Sequence, residues 1–186
     1  RNALSGTALN VLATNAENAA MIDTHFSDRV KTKGITDQKS SGRCWLFTGM
    51  NVLRAKMIDK YDLGAFTLSQ NYLFFYDQLE KANLFLQAVI DNAAKPMDDQ
   101  LVEWLFKNPL SDGGTFCGVI DVVGKYGLVP DEIMPESYNA NNTSRMASIL
   151  SLKLREYGLT LREAAAKGEK NAALQKRKEE ILGTIY

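Results

Sequence analysis

The fold class follows from the segment Gln38-Lys39-Ser40-Ser41-Gly42-Arg43-Cys44-Trp45-Leu46-Phe47 and from the residues on either side of it. Up to Gly42 the segment is small, polar and punctuated by glycine, like residues 32–37 before it, and this predicts an exposed loop. After Gly42, apolar residues recur at spacings of four, three and four, the pattern of one helical face: Leu46, Met50, Leu53 and Met57. We therefore predict a helix from about Arg43 to Lys60 that is buried on much of its circumference.

Cys44 lies where the predicted loop meets the predicted helix. A catalytic cysteine must be partly thiolate near neutral pH, and the unpaired amides of a first helical turn favour that negative charge. Acyl transfer also needs donors for the developing oxyanion, and the Gln38 side chain and the Cys44 backbone N–H can supply them. Gly42 leaves room for a substrate backbone, and Trp45 offers an apolar plate that can shield a partner imidazole from water. The pattern predicts Cys44 as a nucleophile and Gln38 as part of an oxyanion hole.

This segment resembles the nucleophile segment of papain-like cysteine peptidases, and its closest likeness is to the bleomycin hydrolase / aminopeptidase C branch. In that pattern a glutamine stands six residues before the cysteine and a tryptophan directly after it, as Gln38, Cys44 and Trp45 do. Secreted papain-like enzymes usually carry a disulfide cysteine three residues before the nucleophile, whereas Ser41 stands there in this chain. The likeness continues, between about residues 25 and 162, through 68–77, 108–109, 112–114, 125–127 and 135–138.

The resemblance implies a cysteine-type aminopeptidase that hydrolyses peptide bonds at the N-terminus of its substrates through an acyl-enzyme on Cys44. It also implies that Gly113 and Gly114 contact the substrate backbone beside the scissile bond, and we group Trp45 with these substrate-binding residues. A homohexamer with peptide substrates as its partners is the assembly that the family suggests.

The family's catalytic histidine and its orienting asparagine come from a later β-rich half. The only histidine here, His25, precedes Cys44 by nineteen residues, and nothing around it resembles a triad, so we interpret it as a surface or capping residue. We therefore expect residues 1–186 to be a partial peptidase domain: the helical left half of a papain-like (α+β) fold, with a helical extension from about residue 140 and without the β-rich half.

The rest of the chain predicts further helices and almost no strands. Residues 4–20 are rich in alanine and asparagine and predict one short helix. A second apolar helix is expected to open at residues 67–70 under a Thr67 or Ser69 cap, to break near residues 82–83 and to end at Pro96. Further helices are expected over residues 98–108 and 115–126, from a cap among residues 142–144 through residue 166, and over residues 171–181. The chain is therefore predicted to be mainly α-helical.

Composition argues against several classes of function. Lys+Arg and Asp+Glu number 22 each, so no net field attracts nucleic acid, and no apolar run is long enough to span a membrane. No metal-ligand or phosphate-loop spacing is present, so we expect neither a metal nor a cofactor. The two cysteines are too few for a disulfide scaffold and predict a reduced, cytoplasmic protein. We expect Cys44 and Cys117 to stay unpaired, with Cys117 packed in the core.

Two other functions are compatible with these residues. The lack of a suitable histidine fits a catalytically inactive helical interaction module from a truncated gene, and the helix-start environment of Cys44 fits a redox-sensing thiol. Labelling of Cys44 by a substrate-like electrophile separates the peptidase and the redox-sensing thiol from an inert module. Peptidase assays on the complete gene product separate the enzyme from the inactive module.

Overall fold

A computed structural model describes residues 2–30 and 32–186, which fall in two compact units. In the first unit the chain forms three five-residue helices, α1 (Asn2–Gly6), α2 (Leu9–Ala13) and α3 (Ala16–Ala20), and its described side chains are exposed. The prediction of a single helix over residues 4–20 is wrong. The backbone is extended at Asn15, whose side chain accepts the Asn18 N–H and starts a new helix there.

The second unit, Thr32–Tyr186, is built almost entirely of helices. They are α4 (Cys44–Tyr61), α5 (Gln70–Asp91), α6 (Gln100–Lys107), α7 (Phe116–Tyr126), a 3-10 helix (Asp131–Ile133), α8 (Tyr138–Asn141), α9 (Thr143–Ala166) and α10 (Asn171–Ile185). Extended pairing within residues 32–186 consists of two isolated bridges, Ser40 with Asn142 and Leu68 with Pro130. The prediction of a mainly helical chain is confirmed. Among the helices of the described residues, none combines the length and the apolar character that crossing a bilayer requires.

The helix predicted over residues 43–60 is present to within one residue at each end, because α4 begins at Cys44 and ends at Tyr61. Its C-cap is Asp62, which adopts a left-handed conformation with φ of 48° and donates its N–H to the Ile58 carbonyl. Aspartate is one of the few residues besides glycine that tolerate this conformation, so the helix stops before it reaches Gly64.

α5 is one continuous helix, and Ser69 caps it by accepting the Tyr72 N–H on its hydroxyl oxygen. The predicted break near residues 82–83 is wrong. Ala82 is only 1% exposed and packs in the same apolar core as Leu86, and this tertiary packing stabilises the helix across the weak helix former Asn83. The last helix, α10, runs four residues beyond its predicted end because its final turns pack against that core.

Two apolar cores hold the second unit together, and α5 contributes to both. One core joins α5 to α6, α9 and α10, and the other joins α4, α5 and α7. Gly49 lets α4 and α7 approach closely, because a Cβ atom there would lie 2.7 Å from the Cγ2 methyl of Val119. The α4–α7 contact brings the start of α4 next to the loop that precedes α7.

Candidate active site

Cys44 is the first residue of α4, and its side chain is exposed. The next three residues, Trp45, Leu46 and Phe47, are buried, so the helix enters the core at once and leaves the sulfur at the surface. The amides of a first helical turn lack intrahelical acceptors and form the positive end of the helix dipole. The structure therefore places Cys44 at a helix start, as the sequence predicted, and its role as nucleophile stays a prediction.

The second cysteine corrects one expectation. Cys117 was predicted to lie in the core, but it is exposed. It lies in the first turn of α7, on the side of the helix opposite to the buried Val119 and Val122. Both cysteines are free thiols, as expected.

Gln38 is half-buried in the loop that leads to Cys44, and its side chain is held by that loop. Its Nε2 donates to the Ser41 carbonyl at 2.6 Å, and the Ser41 hydroxyl donates back to the Gln38 carbonyl at 2.6 Å. A primary amide has two N–H groups, so the bond to Ser41 leaves one hydrogen for a further acceptor. Lys39, which lies between Gln38 and Ser41, has a left-handed φ of 53°. This conformation is uncommon for a lysine, and it bends the loop sharply. The oxyanion role of Gln38 stays a prediction.

Arg43, directly before Cys44, is an anchor that the sequence analysis did not single out. Its guanidinium is fully buried and donates to both carboxylate oxygens of Glu136, at 2.9 and 2.8 Å. Its Nε donates to the Ser41 hydroxyl at 2.9 Å, and its charge lies 5.0 and 5.2 Å from the ring centres of Phe47 and Phe74. Ser41 is therefore linked by a hydrogen bond to Arg43, and a buried ion pair anchors Arg43 to Glu136.

We expect Glu136→Gln to lower the free energy of unfolding by about 2–3 kcal/mol, because breaking a buried ion pair leaves the charge of Arg43 uncompensated. The value is below that of a fully buried pair because a quarter of the Glu136 side chain is exposed. The matched control is Glu103→Gln, which breaks an exposed pair with Lys107 and is expected to cost less than about 0.5 kcal/mol. Urea unfolding of both variants measures the difference, and equal effects would contradict an anchoring role for this pair.

The predicted substrate segment, Gly113 and Gly114, lies beside Trp45. The indole Nε1 of Trp45 donates to the Asp112 carbonyl at 2.9 Å. A Cβ atom on Gly114 would lie 2.6 Å from two ring carbons of Trp45, so only glycine lets the backbone pass this closely. This packing by itself explains the glycine at position 114. The contact of Gly113 and Gly114 with substrate stays a prediction, although both residues are exposed next to the start of α4.

A lysine from α5 holds the same segment from its other side. Lys81 Nζ donates to the carbonyls of Gly113 and Ser111, at 2.7 and 3.0 Å, and to a carboxylate oxygen of Asp77 at 2.7 Å. The ammonium group also lies 5.3 Å from the centre of the Trp45 ring system. Burial raises the pKa of the Asp77 carboxyl by more than the bond from Lys81 lowers it. One cation thus fixes two carbonyls of the segment that precedes α7.

His25 belongs to the first unit, where its side chain is exposed and its backbone N–H donates to Asp23 Oδ1 at 2.8 Å, in agreement with the prediction of a surface residue. Within residues 2–30 and 32–186, no group of three or more His, Cys, Asp or Glu side chains is placed to hold a metal ion. The anchoring residues Arg43, Lys81 and Glu136 were missed because nothing in their local sequence indicates their partners.

The chain is similar throughout its length to known peptidases. A family model described as the Peptidase C1-like family matches residues 1–186. Aminopeptidase G of Lactobacillus delbrueckii subsp. lactis is 45% identical over 161 residues, which cover 87% of this chain and 37% of the relative. The bleomycin hydrolase of Homo sapiens is 42% identical over 159 residues, which cover 82% of this chain and 35% of the relative.

A solved structure shares the fold. The crystal structure of PepW from Lactobacillus rhamnosis HN001 superposes with a TM-score of 0.92 at 34% identity, covering 100% of this chain and 42% of that chain. The helical arrangement described above is therefore the helical portion of a papain-like peptidase fold, as predicted. The chain spans well under half the length of each of these relatives.

Proposed function

Because the chain belongs to the Peptidase C1-like family, we propose that the protein containing it is a cysteine-type aminopeptidase that hydrolyses peptide bonds at the N-terminus of its substrates. The observation that carries this proposal is the exposed Cys44 at the first residue of α4, between the Gln38 loop that precedes it in sequence and Trp45, against which Gly114 packs. The names of the relatives, aminopeptidase G and bleomycin hydrolase, support an amide bond as the one that is cleaved.

Within the first half of the reaction, the nucleophilic attack and the binding of the oxyanion are assigned to residues of this chain. The Cys44 thiolate attacks the scissile carbonyl carbon, and the electron pair of the C=O bond moves to its oxygen. The second N–H of Gln38 and the backbone N–H of Cys44 hold that oxyanion. When the tetrahedral intermediate collapses, the C–N bond breaks, the amine leaves with a proton, and the acyl group stays on Cys44 as a thioester.

Proton transfer to the leaving amine and the later hydrolysis of the thioester need groups outside this assignment. A histidine must protonate the leaving amine and then activate the water that hydrolyses the thioester, and an asparagine must orient that histidine. By the family resemblance, both residues belong to a later β-rich half of the full-length protein. His25 is not assigned this role.

The test of the proposal is a pair of reporters that share one scissile amide and differ only at the α-amino group. The complete gene product should hydrolyse the reporter with a free amino group and leave its N-acetylated counterpart almost intact. Equal hydrolysis of both reporters would make the protein a peptidase of another specificity. Failure to hydrolyse either of them would contradict the proposed activity.

For residues 1–186 expressed alone, we expect alkylation of Cys44 without turnover of the reporter. The Cys44 thiol at the start of α4 lies within these residues, whereas the group that protonates the leaving amine is assigned outside them. General acid–base catalysis contributes roughly two to four orders of magnitude. Helicity is first confirmed by circular dichroism, and then iodoacetamide labelling and reporter hydrolysis are measured on the same sample.

The exposed Cys117 requires a control, because it also reacts with iodoacetamide. A Cys117→Ala variant isolates Cys44, and a Cys44→Ala variant isolates Cys117, which also lies in the first turn of its helix. Absence of alkylation in the Cys117→Ala variant would contradict a reactive thiol at position 44 and favour the inactive-module alternative. Turnover that disappears in His25→Ala would identify His25 as a base and overturn the assignment above.

Location and assembly complete the proposal. Two unpaired cysteines and the serine at position 41 favour a reducing, cytoplasmic compartment. A homohexamer is expected from the family resemblance, and light scattering on the purified gene product measures it directly.

A further inference from the structure

Asp112 contacts the chain on both sides of Cys44. Its carboxylate Oδ2 accepts the Gly42 N–H at 2.7 Å, and its backbone carbonyl accepts the indole N–H of Trp45 at 2.9 Å. Gly42 is so close that a Cβ atom there would lie 2.3 Å from Asp112 Oδ1. Gly42 lies two residues before Cys44 and Trp45 one residue after it, so Asp112 contacts the chain on both sides of the nucleophile.

A third contact extends this link to α9. The buried Thr143, first residue of α9, donates its hydroxyl to the same Asp112 Oδ2 at 2.7 Å. The backbone next to it pairs with the nucleophile loop, since Ser40 donates its N–H to the Asn141 carbonyl at 3.0 Å. Asp112 Oδ2 therefore accepts hydrogen bonds from both the nucleophile loop and the start of α9, and these two segments also pair with each other through their backbones.

The charge of Asp112 suits this role. Burial raises the pKa of its carboxyl, but hydrogen bonds from Thr143 and Gly42 and the nearby charge of Lys81 lower it by more, so the net shift is downward. An ionised carboxylate accepts hydrogen bonds and donates none, which matches the two donors that meet at Oδ2. Asp77, the other acid in this region, pairs with Lys81 instead.

We propose that Asp112 is a positioning residue for the reaction assigned to Cys44: its carboxylate fixes Gly42 so that the oxyanion donors on either side of that glycine keep their geometry. Gln38 and the Cys44 N–H lie at the two ends of a short loop. Asp112 binds this loop at Gly42, two residues before Cys44. Hydrogen-bond donors stabilise a transition state only when they are held in place beforehand. This inference rests on the proposed function, because it needs a reaction to position.

The experiment compares three changes in the complete gene product: Asp112→Ala, Asp112→Asn and Asp99→Ala. Asp112→Ala removes the acceptor and should lower kcat about 10- to 100-fold with little change in KM, because misplacement of catalytic groups by about 1 Å has effects of this size. Asp112→Asn keeps one acceptor oxygen for Gly42 and Thr143 and should restore kcat to within about fivefold of the wild type. Asp99→Ala removes a helix cap at α6 and should destabilise the fold without changing kcat.

The outcomes separate the inference from the proposed function. A wild type without turnover contradicts the proposed function itself. If the wild type is active and Asp112→Ala has the same kcat as Asp99→Ala, the positioning role is wrong but the proposed function stands. If Asp112→Ala does not fold, Thr143→Val provides the test. Valine has the shape of threonine but lacks the hydroxyl that donates to the Asp112 carboxylate. A threefold to tenfold lower kcat at unchanged KM supports the role, and an unchanged kcat overturns it.

Discussion

Cys44→Ala is expected to reduce kcat of the complete gene product to the background of the assay, a loss on the order of 10⁴-fold or more. The thiolate is the atom that forms the new bond, and no other group at the start of α4 can replace it. Stability should not change, because the Cys44 side chain is exposed and contributes nothing to the core. Reporter hydrolysis and the thermal midpoint measured on one preparation test both statements.

The matched control for this change is Cys117→Ala, which removes the other exposed thiol of the chain and should leave kcat as it is. Cys44→Ser should be almost as inactive as the alanine variant, because an alcohol lacks the low pKa that makes a thiolate available near neutral pH. If Cys44→Ala retained activity near that of the wild type, the nucleophile assignment would be wrong.

Gln38→Ala is expected to lower kcat by about two to three orders of magnitude while KM changes little. An oxyanion donor acts on charge that develops in the transition state, so its loss appears in turnover and not in substrate binding. The same change removes the bond from Nε2 to the Ser41 carbonyl, which also loosens the loop. The change in kcat therefore needs a control for loop order.

Two further variants supply that control. Ser41→Ala removes the hydroxyl that bonds the Gln38 carbonyl and Arg43, but it leaves the Gln38 amide in place, so its effect on kcat should be much smaller. Gln38→Glu keeps the shape of the side chain but has no N–H to donate, and it should be as impaired as the alanine variant. An effect of Gln38→Ala confined to KM would mean that Gln38 contacts substrate in the ground state only.

Local sequence determined most of the helical architecture and the placement of the candidate nucleophile. The apolar period after Gly42 predicted α4 to within one residue at each end, and Ser69 was one of the two residues named as the cap of α5. Both features depend on interactions between residues at most four positions apart, which a sequence displays directly. The likeness around Cys44 identified the family for the same reason, since its glutamine, cysteine and tryptophan lie within one short segment.

Tertiary packing decided the points where local signals failed. The predicted break in α5 is absent because a core formed with α9 and α10 stabilises the helix there, and Cys117 is exposed because α7 turns its other face to α4. Neither partner helix is adjacent in sequence to the residue that it affects. Propensity at a single position is worth less than about 1 kcal/mol, so contacts of this kind override it.

The residues that hold the site rigid could be found only in three dimensions. Arg43 meets Glu136 across 93 positions of sequence, Gly42 meets Asp112 across 70, and the Trp45 indole meets the Asp112 carbonyl across 67. A buried charge or a buried amide needs a partner, but the sequence does not say which distant loop supplies it. That choice depends on how closely α4, α5 and α7 pack, because their packing sets which loops come within hydrogen-bond distance of the residues beside Cys44.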